Sequence, residues 1–272
     1  MSAQTKTKRQ TAASIFARKG GEPIVSLTAY DAPTAAALDP HCDFLLVGDS
    51  VGMVVHGMPS TVGVTLEMMI MHGKAVMRGA SAALIVVDMP FGSYEAGPAQ
   101  AFENASRLLQ ETGCGAIKIE AGTYTAEIIA FLTERGIPVM GHVGLRPQSV
   151  NVTGGFKAMG RTNAEIDQVL AEAEAVDKAG AFAIVVEGVD EALGETVTKS
   201  VRAPTIGIGA SAACDGQILV TPDMLGMFEW TPKFVRKYAD LRGVIDGAAA
   251  KYAAEVKART FPGDKEVYHL KK

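Results

Sequence analysis

The stretch AIKIE, residues 116–120, carries two charges inside a short run of β-branched residues. Successive side chains of a strand point to opposite sides, so Ile117 and Ile119 share one face while Lys118 and Glu120 share the other. If that second face met only solvent, the two charges would need no further explanation. If it is covered, they must serve a purpose inside the protein, and the rest of the chain decides between these possibilities.

Eight runs of this kind occur along the chain, each with a short core rich in Val, Ile and Leu. They are PIVSLTAY (23–30), DFLLVGDS (43–50), ALIVVDMP (83–90), GAIKIEAG (115–122), IPVMGHVG (137–144), FAIVVEGV (182–189), PTIGIGAS (204–211) and GQILVTPD (216–223). Their apolar cores are nearly continuous rather than alternating, which is typical of parallel strands buried on both faces. We therefore predict that AIKIE is a strand without a solvent face.

Helical patterns fill the intervals between these runs. They cover 65–79, 98–112, 124–135, 163–180, 190–200 and about 232–257. The last pattern begins at Pro232, as a first helical turn allows. Eight alternations of strand and helix in about 250 residues predict an α/β fold of the (βα)8 TIM-barrel type rather than a doubly wound sheet. No Pro- or Ser-rich linker divides the chain, so we expect one domain over residues 1–272, with residues 1–20 as an N-terminal extension.

Two strand-to-helix connections, 51–64 and 145–162, are long for a compact domain. Loops of this length are usually lids or binding loops. The second loop contains the flexible pair Gly154-Gly155 together with the cations Lys157 and Arg161. We expect residues 145–162 to close over a bound ligand.

Composition narrows the classes of partner. The chain has 272 residues, 48% of them hydrophobic, and a formal net charge of -4, which argues against a nucleic-acid-binding surface. No apolar run approaches the roughly 18 residues of a membrane span. The three cysteines, Cys42, Cys114 and Cys214, form no CxxC pair, which favours a reducing compartment, and we predict a cytoplasmic location. The basic, Ser/Thr-rich N-terminus fits either a segment that leads into a short helix or an organelle presequence.

Ionisable side chains collect at the ends of five of the eight predicted strands. They are Asp49 (followed by Ser50), Asp88, Lys118 with Glu120, His142 and Glu187. In a TIM barrel these ends converge on a single mouth, where active sites lie. Helix capping, an Asx-turn or a hydrogen bond in the core could explain any one of these residues alone, but their coincidence favours a site. The second face of AIKIE is thus predicted to be the barrel interior near that mouth.

Two Asp and one Glu without Cys form a donor set of hard oxygens, which suits Mg²⁺ or Mn²⁺ rather than zinc. A divalent ion that the protein covers only in part offers positions to a bidentate anion such as a 2-oxo acid, and its Lewis acidity favours the enolate. Lys118 adds a cation for such a substrate. Glu187 is left as the candidate general base.

Other motifs carry weaker signals. The stretch GIGASAA (207–213) matches GxGxxA, but it comes too late in the chain for a dinucleotide site. The Met-rich stretch 66–77 is interpreted as a helix face packed on the barrel, because Met fills irregular gaps. We do not assign His56 or His72 as ligands.

Long ordered motifs give the chain a resemblance to a known family, and the match runs from TAYD (28–31) to PKF (232–234). They are LLVGDSVGM (45–53), DMPFGSY (88–94), AFENA (101–105), IKIEAG (117–122), GHVGLRPQSVN (141–151), GGFKAMGR (154–161), IGIGAS (206–211) and DGQILV (215–220). In these motifs the chain resembles the ketopantoate hydroxymethyltransferase family.

The resemblance implies a barrel of the phosphoenolpyruvate/pyruvate superfamily and a site assignment. It implies Mg²⁺ bound by Asp49 and Asp88, with Glu120 bound to the ion directly or through water. It implies that the substrate contacts are Asp49, Ser50, Asp88, Lys118 and His142, and that Glu187 is the base. It further implies 5,10-methylenetetrahydrofolate as the one-carbon donor to 3-methyl-2-oxobutanoate in pantothenate biosynthesis, a Mg-stabilised enolate and assembly as a homodecamer.

Two alternatives remain at this point. One is a Mg-dependent lyase or mutase of the same superfamily. Lyases of the isocitrate type carry a Cys-Gly-His tripeptide, however, and this sequence has none. The other is a barrel without catalytic activity that serves as a scaffold or a small-molecule binder. Such a barrel is expected to lose a carboxylate or the lysine, and here all of them are present.

Overall fold

Eight parallel strands close into a barrel in chain order in the computed structural model, which describes residues 9–269. The strands are β1 Ile24–Thr28, β2 Phe44–Val47, β3 Leu84–Asp88, β4 Ala116–Glu120, β5 Val139–Gly144, β6 Ala183–Glu187, β7 Thr205–Ile208 and β8 Gly216–Leu219. Each lies within one of the eight predicted runs, and β8 pairs with β1 to complete the ring. The predicted (βα)8 barrel is confirmed.

Helices connect most of the strands. They are α1 Ala12–Phe16, α2 Ala32–Leu38, α3 Val51–Val54, α4 Leu66–Gly79, α5 Pro98–Thr112, α6 Ala126–Glu134, α7 Val150–Thr153, α8 Asn163–Lys178, α9 Glu191–Ser200, α10 Thr221–Met224 and α11 Leu241–Lys257. The five predicted connecting helices match α4, α5, α6, α8 and α9 to within two residues at each end. One connection differs, because residues 209–215, all of them described, join β7 to β8 without a helix.

The predicted start of the last helix near Pro232 is wrong. The helix α11 begins at Leu241, since the side chain of Asp240 accepts a hydrogen bond from the backbone nitrogen of Gly243 and caps it. Proline is tolerated in a first helical turn but does not by itself start a helix. A capping Asp satisfies one of the free N–H groups at the helix start, and this is the stronger local signal.

Two layers of apolar side chains hold the barrel together. On the outer layer, Ile117 and Ile119 of β4 pack among residues of the surrounding helices. On the inner layer, Ala116 joins a cluster of interior side chains that includes Phe44 and Met140. The alternation predicted for AIKIE is therefore observed, with its second face directed into the barrel.

Residues 9–20 of the predicted N-terminal extension pack against the amino-terminal end of the barrel. Ile15 of α1 is 1% exposed and belongs to the interior cluster, so it closes that end. Arg18 forms an ion pair with Asp43 at 3.1 Å, and Lys19 forms one with Asp215 at 2.9 Å. Residues 1–8, the first part of the segment interpreted as either a lead into a short helix or a presequence, lie outside the described part of the chain.

The chain divides into two compact units, with a boundary between Val220 and Thr221. The first contains the barrel. The second, up to residue 269 as described, contains α10 and α11, which are joined by a backbone hydrogen bond from Leu241 N to Leu225 O. A single domain over residues 1–272 stays a prediction. Across the described helices, none combines the length and apolar character needed to cross a membrane.

Candidate active site

The sheet register brings the predicted residues of β3, β4, β5 and β6 to one end of the barrel. Asp88 lies beside Lys118 in the register of β3 and β4, and Glu120 lies beside His142 in that of β4 and β5. Lys118 is 5% exposed and Glu120 is 3% exposed. The prediction that both side chains face the interior near the mouth is confirmed.

Lys118 is the central cation of this end of the barrel. Its Nζ lies 3.0 Å from Asp88 Oδ1 and 3.4 Å from His142 Nδ1. Burial by itself would lower the pKa of Lys118, but the charges of Asp88, Asp49 and Glu120 outweigh it and raise that pKa. The side chain is therefore an ammonium ion that can only donate hydrogen bonds.

His142 joins Lys118 to Glu187. Because the ammonium can only donate, the Nδ1 atom of His142 is its acceptor, and a neutral ring carries its hydrogen on Nε2. This Nε2 lies 3.3 Å from Glu187 Oε2, although the geometry falls short of a hydrogen bond. The side chain of Glu187 is 17% exposed, compared with 3% for that of His142. The carboxylate of Glu187 can therefore reach a molecule in the mouth.

Asp49 and Asp88 form a close pair of buried carboxylates. The backbone nitrogen of Asp49 donates to Asp88 Oδ2 at 2.9 Å. Asp88 Oδ1 has no hydrogen bond of good geometry, even though Lys118 Nζ is nearby. Burial and then the charge of Asp88 raise the pKa of Asp49 to about 7. Two carboxylates in this position repel each other, and a bound cation would relieve the repulsion.

The donor set fits a magnesium ion held by two Asp residues. Mg²⁺ usually retains several waters and needs only one or two protein carboxylates. Within residues 9–269, no three His, Cys, Asp or Glu side chains are arranged to hold a metal ion. Both carboxylate oxygens of Glu120 instead lie near the backbone nitrogen of Gln148, at 3.2 and 3.1 Å. Burial and the charge of Asp49 raise the pKa of Glu120 well above its usual range. Glu120 therefore stays a predicted third ligand, and the structure does not bring it together with the two Asp residues.

Ser50 lies beside this pair, and its hydroxyl forms a hydrogen bond of 2.8 Å with the hydroxyl of Tyr30. The preceding Gly48 leaves room for this arrangement, because a Cβ atom there would meet Ser50 Oγ at 2.7 Å. Burial raises the pKa of Tyr30, so its phenol is neutral and can donate. Tyr30 ends the motif TAY after β1, and sequence reasoning missed it because a Tyr near a strand end is usually a core residue.

Gln148 and Tyr94 are the other residues of the site that sequence reasoning missed. Gln148 is 6% exposed and its side-chain nitrogen donates to Asp49 Oδ2 at 2.8 Å. Tyr94 donates from its hydroxyl to the side-chain oxygen of Gln148 at 2.6 Å. A neutral amide shows no charge pattern in the sequence, so the only available signal was the position of Gln148 in a long loop directly after β5.

The two histidines that were not assigned as ligands contact each other. The Nε2 atoms of His56 and His72 are 2.9 Å apart, and His72 Nδ1 lies 2.7 Å from the carbonyl oxygen of Tyr30. The Nδ1 atom of His72 therefore carries a hydrogen that it donates to this carbonyl. The pair fixes the loop after β2 to α4.

Fold and site together define a barrel with buried acids, a lysine and a histidine at the carboxyl ends of its strands, which is the architecture of a TIM-barrel enzyme. Solved structures share this fold. One is 2,3-dimethylmalate lyase, a member of the PEP mutase/isocitrate lyase superfamily, with a TM-score of 0.58, 18% identity and coverage of 96% of this chain and 93% of that one. Another is phosphonopyruvate hydrolase in complex with oxalate and Mg²⁺, with a TM-score of 0.59, 12% identity and coverage of 96% and 92%. At these identities the likeness shows the fold alone.

Comparison of sequences identifies the family. The model of the ketopantoate hydroxymethyltransferase family matches residues 9–264. A relative from Hyphomonas neptunium is 69% identical over 272 residues, covering 100% of this chain and 99% of the relative. One from Maricaulis maris is 64% identical over 276 residues, with the same coverage. Both are named 3-methyl-2-oxobutanoate hydroxymethyltransferase. The chain belongs to the ketopantoate hydroxymethyltransferase family, and the predicted family is confirmed.

Proposed function

We propose that this chain transfers a hydroxymethyl group from 5,10-methylenetetrahydrofolate to 3-methyl-2-oxobutanoate, giving 2-dehydropantoate for pantothenate biosynthesis. The observation that carries the proposal is the row from the buried Lys118 and His142 to the partly exposed Glu187, beside the paired carboxylates of Asp49 and Asp88. This row provides a cation for an acid substrate and a base at the open side. Membership of the family over nearly the whole chain supports the choice of reaction.

Asp49 and Asp88 would hold a magnesium ion, with Glu120 binding it directly or through water. When bound, the ion supplies Lewis acidity that polarises the keto group and favours the enolate of a 2-oxo acid. The hard oxygen donors and the raised pKa of Asp49 support a cation at this position. The oxalate and Mg²⁺ bound to phosphonopyruvate hydrolase show that this barrel fold can accommodate such a pair in that protein.

Lys118, Ser50 and His142 would bind and orient the acid substrate. The ammonium of Lys118 attracts its carboxylate, and the hydroxyl of Ser50, which already pairs with Tyr30, can donate to the same anion. The Nε2 atom of His142 has no hydrogen-bond partner within the described residues, so its hydrogen can be donated to the substrate beside the Glu187 carboxylate, which is 3.3 Å away. These contacts fix the substrate with its C3 atom towards Glu187.

Glu187 would act as the general base. It accepts the proton of the C3–H bond, and its partial exposure leaves the carboxylate free to meet the substrate. The C3 carbon then forms a bond with the donor's methylene carbon, whose bonds to the folate nitrogens break. That methylene carbon carries no oxygen, so the hydroxyl oxygen of the product must come from one water molecule. The two folate nitrogens released from the methylene carbon take up two hydrogens in balance, one from the former C3–H bond and one from this water.

Exchange of the C3 proton tests this function without the folate donor. In deuterated water with Mg²⁺, the protein should exchange the C3 hydrogen of 3-methyl-2-oxobutanoate, as followed by proton NMR. The matched control is 3,3-dimethyl-2-oxobutanoate, which has no C3 hydrogen and must stay unchanged. With the donor added, mass spectrometry should detect 2-dehydropantoate. Cleavage of the acid, or an absence of both exchange and product, contradicts the proposal and favours a lyase, a mutase or a scaffold.

Assembly and location are also part of the proposal. The resemblance to the family favours a homodecamer in the cytoplasm with small-molecule partners, a 2-oxo acid and a folate. All three cysteines are buried free thiols, which agrees with a reducing compartment. Light scattering of the purified protein tests the assembly, because a decamer has ten times the mass of the chain. A mass of one or two chains contradicts it.

A further inference from the structure

The side chain of Gln148 uses three of its four hydrogen-bonding positions. Its oxygen accepts from the Tyr94 hydroxyl at 2.6 Å, and its nitrogen donates to Asp49 Oδ2 at 2.8 Å and to the carbonyl oxygen of Met89 at 3.0 Å. The opposite orientation of the amide would direct its oxygen at two acceptors, which is repulsive. The network therefore leaves a single orientation for this amide.

The same residue connects three strand ends through contacts that are distant in sequence. Its side chain contacts Asp49 after β2 and Met89 after β3, and its backbone nitrogen donates to Glu120 at the end of β4. Gln148 itself lies in the short 3₁₀ turn Pro147–Ser149 after β5. The start of the loop 145–162 is thus fastened to the carboxylates of the site.

We propose that Gln148, oriented by Tyr94, is a positioning residue that sets the Asp49 carboxylate for a divalent cation and couples the order of loop 145–162 to occupancy of that site. This inference rests on the proposed function insofar as it needs the cation between Asp49 and Asp88. It goes further because it assigns a role to a neutral residue in the loop.

The physical basis is the amide's hold on one oxygen of Asp49. A carboxylate whose rotation is restricted loses less entropy on binding an ion, and partners behind metal ligands tune affinity in this way. Coupling is reciprocal, so a loop that positions a ligand must itself be stabilised when the ion binds. Loss of the amide should therefore weaken both cation binding and the response of the loop.

The test uses Mn²⁺ alone as the probe, with the full chain and no substrate. Electron paramagnetic resonance measures free Mn²⁺, and hydrogen exchange with mass spectrometry measures protection of residues 145–162. The main variant is Gln148→Met, which keeps the length of the side chain but removes both donor and acceptor. Gln217→Met is the matched control, since Gln217 donates from the same type of amide to the carbonyl oxygen of Ser211, outside loop 145–162, at 2.9 Å. Circular dichroism checks that each variant folds.

We expect Gln148→Met to bind Mn²⁺ about 10- to 100-fold more weakly, which is the usual effect of removing a partner of a metal ligand. Mn²⁺ should protect loop 145–162 in the wild type but not in this variant, whereas Gln217→Met should behave like the wild type. Tyr94→Phe removes a single hydroxyl and should weaken binding in the same direction by a smaller factor. It keeps the proposal testable if Gln148→Met does not fold.

Two negative outcomes separate the proposals. If Asp49→Asn binds Mn²⁺ as tightly as the wild type, the cation site itself is wrong and the role of Gln148 falls with it. If Asp49→Asn loses the ion while Gln148→Met and Tyr94→Phe retain wild-type affinity and loop protection, the cation site stands and the positioning role is overturned. Faster exchange of the loop in Gln148→Met to the same extent with and without Mn²⁺, at wild-type affinity, also overturns it, because that is the result of a purely structural role.

Discussion

The two ends of the barrel contain buried aspartates in opposite electrostatic situations. At the amino-terminal end, Asp39 accepts hydrogen bonds from the backbone nitrogens of Ser81, Ala82 and Ala83 at 2.8 to 3.0 Å. Burial by itself would raise the pKa of Asp39, but these bonds outweigh it and lower the pKa. At the carboxyl-terminal end, burial and the neighbouring charge of Asp88 raise the pKa of Asp49.

The difference separates a structural acid from an acid suited to bind a ligand. Both carboxylate oxygens of Asp39 accept hydrogen bonds from backbone nitrogens, so this anion fastens the segment before β2 to the segment before β3. Among the described residues, Gln148 is the side chain that donates to the anion of Asp49, and this anion lies beside a second carboxylate, that of Asp88. Local conflicts of this kind concentrate at functional sites, where stability is given up for binding or chemistry.

The largest expected effect comes from neutralising one acid at each end. Asp49→Asn should reduce turnover to background, because it removes a charged hard ligand from the proposed two-Asp site. Asp39→Asn should leave the rate per folded molecule close to that of the wild type, but lower the free energy of unfolding by about 1–3 kcal/mol, the cost of disturbing buried hydrogen bonds to an anion. Steady-state kinetics and urea unfolding measure the two quantities. Full activity in Asp49→Asn would contradict the proposed role of Asp49 as a metal ligand.

Glu187→Gln should have the next largest effect. The amide keeps the shape of the side chain but cannot accept a proton, so the rate should fall by roughly 10²- to 10⁴-fold while substrate and Mg²⁺ bind nearly normally. Exchange of the C3 proton of 3-methyl-2-oxobutanoate in deuterated water should fall in parallel. If this variant exchanges at the wild-type rate, another group is the base, and His142 is the next residue to test.

The pH dependence of stability should have opposite signs for the two aspartates in metal-free protein. The raised pKa of Asp49 means that its contribution to stability is present below its ordinary value of about 4 and is lost as pH rises towards 7, by an amount on the order of a few kcal/mol. The lowered pKa of Asp39 means that its contribution is present above about 4 and is lost as pH falls below that value.

Urea unfolding in EDTA between pH 3 and 8 measures this contrast. The stability of Asp49→Asn relative to the wild type should increase with pH, and that of Asp39→Asn should decrease. Added Mg²⁺ should reduce the increase in the first case, because the ion stabilises the anion of Asp49. Parallel curves for the two variants would mean that the two ends of the barrel do not differ in this respect.

The smallest expected effect concerns loop 145–162, which follows β5 at the mouth of the barrel. We expect it to be cleaved more slowly by a protease when Mg²⁺ and 3-methyl-2-oxobutanoate are both present, because closure would screen the reacting carbon from bulk water. The segment of residues 9–20 at the other end should show no such response. Gel analysis of limited digests provides the measurement, and equal cleavage of the loop under both conditions argues against closure.

Sequence patterns predicted the barrel because the strands from β2 to β7 are buried on both faces and therefore form continuous apolar runs in the sequence. The alternation of AIKIE then placed Lys118 and Glu120 in the interior. The helix α2 was missed although Asp31 caps it and Pro33 lies in its first turn, two signals that the sequence contains.

Gln148 shows what sequence patterns could not provide. Its side-chain contact with Asp49 joins residues 99 positions apart, and its backbone contact with Glu120 joins residues 28 positions apart. An amide side chain carries no charge and forms no periodic pattern or motif from which such partners can be predicted. The contacts form only when the barrel closes. The role of a neutral residue in a loop becomes visible once the strand ends have been brought together.

The position of Ile15 affects how substrates enter the barrel and how products leave it. Because this side chain closes the amino-terminal end of the interior, a substrate that enters at the mouth must also leave by the mouth. The two proposed reactants differ greatly in size. If the small acid binds deepest, it must bind before the bulky folate, and the product made from it must leave after the folate. Closure of one end of the barrel therefore favours ordered binding, with the acid first and the folate second.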